Sequence, residues 1–418
     1  MANACGVDFG TSNSTVGWLR PDARGSLLLP LEEDKATLPS VVFFNADENE
    51  FSYGRAGLDQ YLAGYEGRLM RSLKSLLGSG AIDGQTEVGG RALPYRGLLS
   101  QFIGELKRRA ERAANTSFPH VVLGRPVHFV DDDAAADRLA QDTLEDIARD
   151  VGFKEVAFQF EPIAAAFDYE SRIAREELVL IVDIGGGTSD FSLVRLSPQR
   201  ADRIDRRDDI LANGGVHIGG TDFDKYLSLA CVMPLLGLGG RLAGDAEVPS
   251  GYYFNLATWH TINQLYTRKV WQQLQDVARE VAERERFARL LDVVEQRCGH
   301  WLALQVEGGK IALSAEETAV LDLQRLRPAE RLELRRSEFD AAVGHLVESV
   351  EQTVAALLKQ AGLRPADIDS VFFTGGSSGV QLLRRRIGAL VPDARHVEGD
   401  LFGSIGSGLA IDAARRFG

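Results

Sequence analysis

The chain has few cysteines, no excess of basic charge and no long apolar run, and each shortage excludes something. Cys5, Cys231 and Cys298 are its three cysteines, far apart and without metal-ligand spacing, so neither a disulfide framework nor a zinc site is supported. A reducing cytoplasm is the expected setting, and Cys5, in an apolar opening strand, reads as a small buried hydrophobe. With 60 acidic against 47 basic residues, the formal net charge of -13 argues against a surface for nucleic-acid backbones. Arg384-Arg385-Arg386 is a short run and reads as the solvated face of a helix. No segment approaches the apolar length that crosses a bilayer, and the N-terminus lacks the basic region and long apolar core of a secretion signal. The expectation is therefore no nucleic-acid partner and no membrane. Without secretion, the Asn-x-Ser/Thr patterns at Asn13 and Asn115 carry no glycosylation meaning. At 418 residues the chain exceeds one compact core and suggests two to four domains.

What the chain does have is organised around Leu180 to Asp190, Leu-Ile-Val-Asp-Ile-Gly-Gly-Gly-Thr-Ser-Asp. The apolar β-branched run reads as a buried strand, and Gly185-Gly186-Gly187 as a tight turn whose backbone can approach a ligand. Phosphate suits that turn, because successive backbone N–H groups face an anion while Asp183 at the strand end can hold a hydrated magnesium ion. A triple glycine alone is more often a flexible loop. The phosphate reading gains from a second copy: Val7-Asp8-Phe9-Gly10-Thr11-Ser12 parallels Val182-Asp183-Ile184-Gly185 with Thr188-Ser189. The copies stand about 175 residues apart, too far for a solenoid repeat and suited to a duplicated domain. Asp8 or Asp183 singly would read as a strand-end turn former; in matched contexts both read as metal and phosphate residues.

The rest of the chain supplies the frame. Strands are expected at Ser40 to Phe44 and Phe51 to Tyr53, and a basic helical run at Arg68 to Leu77 that carries Lys74 as an ordinary solvated charge. Ser79 to Arg96 reads as loop and Leu98 to Ala114 as an amphipathic helix. Val121 to Val127 is a buried strand, with Asp131 to Asp133 capping the helix that follows to about Val151. Val156 to Phe160 runs into Glu161-Pro162-Ile163-Ala164-Ala165-Ala166, a strand end opening a helix, where α/β folds place chemistry. Asn213-Gly214-Gly215 marks a turn, Ile218 to Asp224 opens a helix at Gly219-Gly220, and residues 255 to 297 read as long, charged and helical. Trp259, Trp271 and Trp301 read as core between those helices rather than a cofactor box. Glu307, Lys310 and Ser314 share one helix face, with an exposed Glu-Lys pair as the commoner meaning. Val371 to Ser378 reads strand then glycine turn, and Gly403 to Ala410 leads into a terminal helix.

Two Asp-apolar-Gly hairpins, Glu-Pro-x-Ala-Ala-Ala, Gly-Gly-Thr-Asp-Phe-Asp and a late Gly-Gly-Ser turn occur in that order. Over nearly the whole chain this resembles the nucleotide-binding domain of the seventy-kilodalton heat-shock (DnaK-type) chaperone family, within the actin-like ATPase superfamily. Among its members the chain looks most like the YegD-type proteins that lack a peptide-binding domain. The resemblance implies an α/β fold of two duplicated ribonuclease-H-like lobes, each on a five-stranded sheet, around a nucleotide cleft. Lobe I would be residues 1–172 with a terminal helix about 404–418, and lobe II residues 173–403 with a mainly helical subdomain about 221–306. It implies ATP or ADP and Mg2+ as ligands. Gly10, Thr11, Ser12 and Asn13 and, opposite, Gly185, Gly186, Gly187 and Thr188 match the phosphate hairpins. Asp8 and Asp183 match the magnesium carboxylates, Lys74 the catalytic lysine, Glu161 the interlobe glutamate and Asp190 the acid closing the second hairpin. Gly219 and Gly220 match a further phosphate-side turn, and Glu307, Lys310, Ser314, Gly375, Gly376 and Ser377 the nucleoside clamp.

The implied activity is slow ATP hydrolysis driving a conformational switch, lobe closure being read by a co-chaperone or client protein. Two places depart from the family pattern: Ile311 and Gly379 stand where arginines sandwich adenine, which lowers ATP affinity or alters base choice. The chain stops about twelve residues after Ser407, so coupling to a peptide site within it is not expected. The rival readings are a small-molecule kinase of the same superfamily, an actin-like filament protein and a non-hydrolysing nucleotide sensor.

Overall fold

The stretches around Asp8 and Asp183 fold as their patterns predict, strand, tight turn, strand. In the computed structural model, which describes residues 3–20, 27–88, 91–130, 133–400 and 403–418, Ala4–Phe9 pairs antiparallel with Asn13–Gly17, setting Asp8 opposite Thr15. Glu177–Ile184 pairs in the same sense with Ser189–Leu196, setting Asp183 opposite Asp190. Each hairpin is the middle of a five-stranded sheet. In the first, Thr37–Pro39 lies beyond the second hairpin strand, while His120–Arg125 and then Glu155–Phe160 run parallel on the other side. In the second, Ile210–Val216 takes the place of Thr37–Pro39, and Ser370–Thr374 and Arg395–Glu398 are the parallel pair. Both sheets thus read third, second, first, fourth, fifth in order of sequence, which is the topology of a duplicated α/β domain.

Because the central strands are covered on both faces, they are continuously apolar: Val179, Leu180, Ile181 and Val182 are all buried. One apolar cluster holds Ala4 and Val122 from the first sheet and Val179, Ile181, Val194 and Phe372 from the second. The helices Glu161–Glu170 and Ser404–Phe417 fill the same cluster, with Ile163 to Phe167 from one and Leu409 and Ala413 from the other. Small residues make that packing possible. A Cβ at Gly408 would sit 1.8 Å from the carbonyl oxygen of Ala164, so the two helices meet backbone to backbone.

The described chain packs as two compact units, the first comprising residues 1–215, 354–378 and 390–418 and containing both five-stranded sheets, the second residues 216–353 and 379–389. The second unit is mainly helical, with Gly220–Leu227, Gly251–Ala257, Arg268–Glu280, Arg284–Glu295 and Gly299–Ala315 beside an antiparallel pair, Thr318–Leu323 and Glu330–Arg335. No helix among the described residues is long and apolar enough to cross a membrane.

Several local expectations hold. Strands form at Val41–Asn45 and Glu50–Tyr53, a helix at Tyr95–Ala114, and Asp133 caps Ala134–Asp150 by accepting from the N–H groups of Ala135 and Ala136. Asp131 and Asp132 lie outside the described residues. Burial pushes the Cys5 thiol up, as befits a core hydrophobe. Others give way to tertiary pairing. Arg68 to Leu77 is not a helix: Gly67–Arg71 is a strand against the apolar Val41–Asn45, and Ser72, at a left-handed φ of 58°, turns the chain into a single 3-10 turn, Leu73–Leu76. The expected loop 79–96 contains a two-stranded pair, Gln85–Val88 with Arg91–Pro94. Asn213-Gly214-Gly215 is no turn but lies within the strand Ile210–Val216. Of the three tryptophans, Trp301 is buried, whereas Trp259 and Trp271 are half-buried, Trp259 edge-on to His300 at 4.6 Å.

Candidate functional site

Asp8 closes its strand and is buried, one residue before the Phe9-Gly10 corner. The turn Gly10 to Asn13 is tied down by Ser40, whose Oγ donates to the Gly10 carbonyl at 2.6 Å and lies 2.9 Å from Ser14 Oγ. The Ser40 N–H donates to the Ser12 carbonyl at 2.8 Å. A Cβ at Gly10 would stand 2.1 Å from the Asn13 carbonyl oxygen, so no larger residue closes this turn unchanged. Ser40 had no sequence signal of its own; only the fold brings it under the turn.

The 3-10 turn Leu73–Leu76 carries Lys74 to the first residue of the helix Glu161–Glu170. Lys74 Nζ donates to Glu161 Oε1 at 2.6 Å, each side chain only 12% exposed. Lys74 is thus not the solvated charge that a lysine on such a run usually is. Burial works against its ammonium, but the carboxylates of Glu161 and Asp8 more than offset that and hold its pKa above the ordinary lysine value. Burial, with the charge of Glu161 added and Lys74 opposing, pushes Asp8 up to about 7. Asp183 is raised well above the usual carboxylate range by burial and then by Asp190, Glu161 and Asp8.

At the second turn, the Gly185 N–H donates to the Thr188 carbonyl at 2.9 Å, and Thr188 Oγ1 donates to Asp190 Oδ2 at 3.0 Å. Thr188 and Asp190 are exposed. The two glycine turns meet: a methyl on Gly186 would lie 1.9 Å from Ser12 Oγ. Gly375, at φ 80°, also passes close to Asp183, an added Cβ coming 2.4 Å from its Oδ1. Gly376 is exposed and Ser377 buried in the short turn that follows. A small pocket runs alongside, lined by Glu161, Asp183 and Asp190 together with Pro126, Ser192 and Asn213. Ser192 Oγ donates to Asn213 Oδ1 at 2.8 Å, and both residues escaped the sequence reading because Asn213 looked like part of a turn.

Four carboxylates, Asp8, Glu161, Asp183 and Asp190, thus act on one another around a single ammonium, Lys74. That imbalance suits a divalent cation. Among the described residues no three His, Cys, Asp or Glu side chains form a closed metal cage. Carboxylates at two strand ends, Asp8 and Asp183, fit an ion that keeps most of its water and takes one or two carboxylates, as magnesium does.

Five of the predicted residues belong to the second unit. Gly219 and Gly220 start the helix Gly220–Leu227, where the Gly219 N–H donates to Asp222 Oδ2 at 3.0 Å. Lys310 is buried and does not pair with Glu307; its Nζ donates to the Gly220 carbonyl at 3.1 Å and sits 2.9 Å from Asp224 Oδ1. It locks the helix start that Gly219 and Gly220 form. Ser314 Oγ donates back to the Lys310 carbonyl at 3.3 Å, and Glu307 is half-buried. Ile311, on the same helix, is 60% exposed.

Comparison with known proteins bears on what this arrangement is for. The family model described as "Hsp70 protein" matches residues 85–233 and 276–409. Chaperone protein DnaK of Thermosipho africanus (strain TCF52B) is 26% identical over 383 residues, 91% of this chain and 54% of that protein. DnaK of Thermosipho melanesiensis is 25% identical over 410 residues, 98% of this chain and 58% of its own length, and DnaK of Thermotoga maritima 26% identical over 383 residues. The chain spans a little over half the length of these curated relatives.

Proposed function

The chain belongs to the Hsp70 family, and from that premise we propose that it binds ATP with magnesium, hydrolyses it slowly and acts as a chaperone-like switch whose nucleotide state a co-chaperone or client protein reads. The observation that carries this reading is the convergence of four carboxylates on Lys74 beside two glycine turns in contact. In this reading the two lobes are residues 1–172 with the terminal helix, and residues 173–403, each contributing one hairpin.

Phosphoryl transfer to water needs alignment and charge neutralisation more than covalent help. The backbone N–H groups of Gly10 to Asn13 and of Gly185 to Gly187 are the anion donors, held to shape by Ser40 and by the Gly185–Thr188 closure. Asp8 and Asp183 are the carboxylates that would hold the hydrated ion. A magnesium ion held by them would supply positive charge against the phosphates. Lys74, kept charged by Glu161 and Asp8, orients the terminal phosphate, and Thr188, held by Asp190, positions the attacking water. Glu161 organises the water network while fixing Lys74. On the nucleoside side the residues are Glu307, Ser314, Gly375, Gly376 and Ser377, with Lys310 holding the Gly219-Gly220 turn in place.

The test is phosphate release by purified protein with magnesium and ATP, wild type beside Asp183→Asn. Wild type should release phosphate slowly and the variant on the order of 10²-fold more slowly still, the usual effect of losing one preorganised electrostatic group. Wild-type release at the rate of buffer alone would remove hydrolysis from the proposal, and titration with ATP in the same preparation would then decide whether binding stands.

A further inference from the structure

The helix that begins with Glu161 ends with Glu170, and its far end is held by an ion cluster with no part in the chemistry described so far. Arg206, whose side chain is 0% exposed, donates to both carboxylate oxygens of Glu170, at 2.7 and 2.8 Å. Oε1 of Glu170 also accepts from the Ser197 N–H at 3.0 Å. Arg206 Nε donates to Asp209, which is equally buried and also pairs with Arg200. The guanidinium lies over the ring of Phe167, one turn back along the same helix, at 5.7 Å. Arg206, Glu170 and Asp209 are thus enclosed and held by directional, charge-assisted bonds, with Arg200 at the edge of the group.

Its position in the chain gives it a use. Ser197, Arg200, Arg206 and Asp209 lie in the segment between strands Ser189–Leu196 and Ile210–Val216 of the second sheet. The first of those strands begins beside Asp190, and the second carries Asn213 in the pocket wall. The helix bearing Glu161 follows directly from the last strand of the first sheet. The cluster therefore ties the element that presents Glu161 to the strands that present Asp190 and Asn213. The segment has a further hold on the terminal helix, through Arg415 to the Ala201 carbonyl at 2.7 Å and Arg416 to the Ile204 carbonyl at 3.2 Å. Glu161 and Glu170 stand about 13.5 Å apart along the helix axis. Between them the helix meets the terminal helix backbone against backbone at Ala164 and Gly408, and nearer the Glu170 end Arg415 of the terminal helix lies over the Phe167 ring at 4.9 Å, on which Arg206 also rests.

We propose that Arg206 is a positioning residue for the Lys74–Glu161 pair: the buried Glu170–Arg206–Asp209 cluster sets where the helix sits along its axis and so where the Glu161 carboxylate stands. A bidentate fork has one geometry, so a shift of the helix breaks both bonds at once. This inference rests on the proposed hydrolysis for its kinetic consequence but not for its geometry, and the experiment separates the two. Two variants are compared with wild type, Arg206→Lys, which keeps the charge and loses the fork, and the triple variant Glu170→Leu, Arg206→Met, Asp209→Leu, which removes every charge of the cluster proper while filling its volume. Arg200 then retains Glu176 and water. The readouts are thermal unfolding, single-turnover hydrolysis of magnesium ATP, and the NMR resonance of the Lys74 side-chain ammonium, referenced to Glu161→Gln.

The expected result is a folded triple variant whose Lys74 resonance moves toward its position in Glu161→Gln and whose hydrolysis slows about 10-fold or more, as misplacement of an aligned group does. Arg206→Lys should shift the same resonance in the same direction, and it carries the test if the triple variant does not fold. A folded variant with the wild-type Lys74 resonance overturns the proposal. If wild type releases no phosphate, the hydrolysis reading fails and the resonance alone decides the positioning.

Discussion

Lys74 and Asp8 show how one site holds opposite charges in opposite balance. Lys74 is nearly enclosed, yet its charge is favoured, because two carboxylates outweigh the loss of water. Lys74→Ala should slow single-turnover hydrolysis on the order of 10²-fold or more, and an unchanged rate would take Lys74 out of the mechanism. Asp8 is the reverse case, pushed up to about 7 by burial and by Glu161. Its folded-state pKa lies above the ordinary value, so its protonated form is the one folding favours; that stability is complete at acid pH and is lost as pH rises through about 7. Asp183 shifts in the same direction. Without magnesium, the unfolding temperature should therefore fall between about pH 4 and pH 7, the span from ordinary carboxylate values to the raised one. Asp8→Asn should flatten that fall while abolishing magnesium-dependent hydrolysis. A wild-type unfolding temperature independent of pH over this range would show that the carboxylates do not repel one another as the geometry requires. Neither residue declared this behaviour in the sequence: Lys74 sat in a run that reads as a charged helix, and Glu161 lies 87 residues beyond it.

At the scale of elements, the glycines of the terminal helix do what larger residues cannot. Gly408 lets Ser404–Phe417 meet Glu161–Glu170 backbone to backbone at Ala164. Gly408→Ala should destabilise the protein by about 1–3 kcal/mol, the usual effect of overpacking, measured by urea unfolding. The same substitution at Gly344, in the long helix Arg336–Gln360, meets nothing within 4 Å. There it should stabilise by ~0.5–1 kcal/mol, since alanine is the better helix former. Equal effects at the two positions would mean that helix propensity and not close approach governs both. The hairpins were legible because strand, glycine turn and strand are neighbours in sequence and their patterns are local. The strand Gly67–Arg71 and the strand through Asn213 were not, because their partners come from elsewhere in the chain and pairing overrides propensity.

For the molecule as a whole, the excess of carboxylates at the site makes stability and ligand binding one problem. Any ligand bound by the folded chain alone raises its stability, by about 2.7 kcal/mol at a concentration one hundred times its Kd. Magnesium with ATP should therefore raise the unfolding temperature, and EDTA should remove most of that gain, since ATP alone brings more negative charge to carboxylates that already repel. A shift as large in EDTA as in magnesium would separate nucleotide binding from Asp8 and Asp183. Ion pairs away from the site also take up part of the chain's basic charge, among them Arg395 with Glu177 and Arg149 with Glu145.

Sequence by itself determined the two Asp-apolar-Gly hairpins, their duplication, the helix opened by Glu161 and the α/β class, because each follows from residues within a few positions of one another. Tertiary structure decided which charges meet. Lys74 found Glu161, Lys310 found Asp224 rather than Glu307, and Glu170 found Arg206 across 36 residues. A charge in sequence names no partner; burial, by removing water as the alternative, obliges it to have one, and only the packed fold says which is within reach.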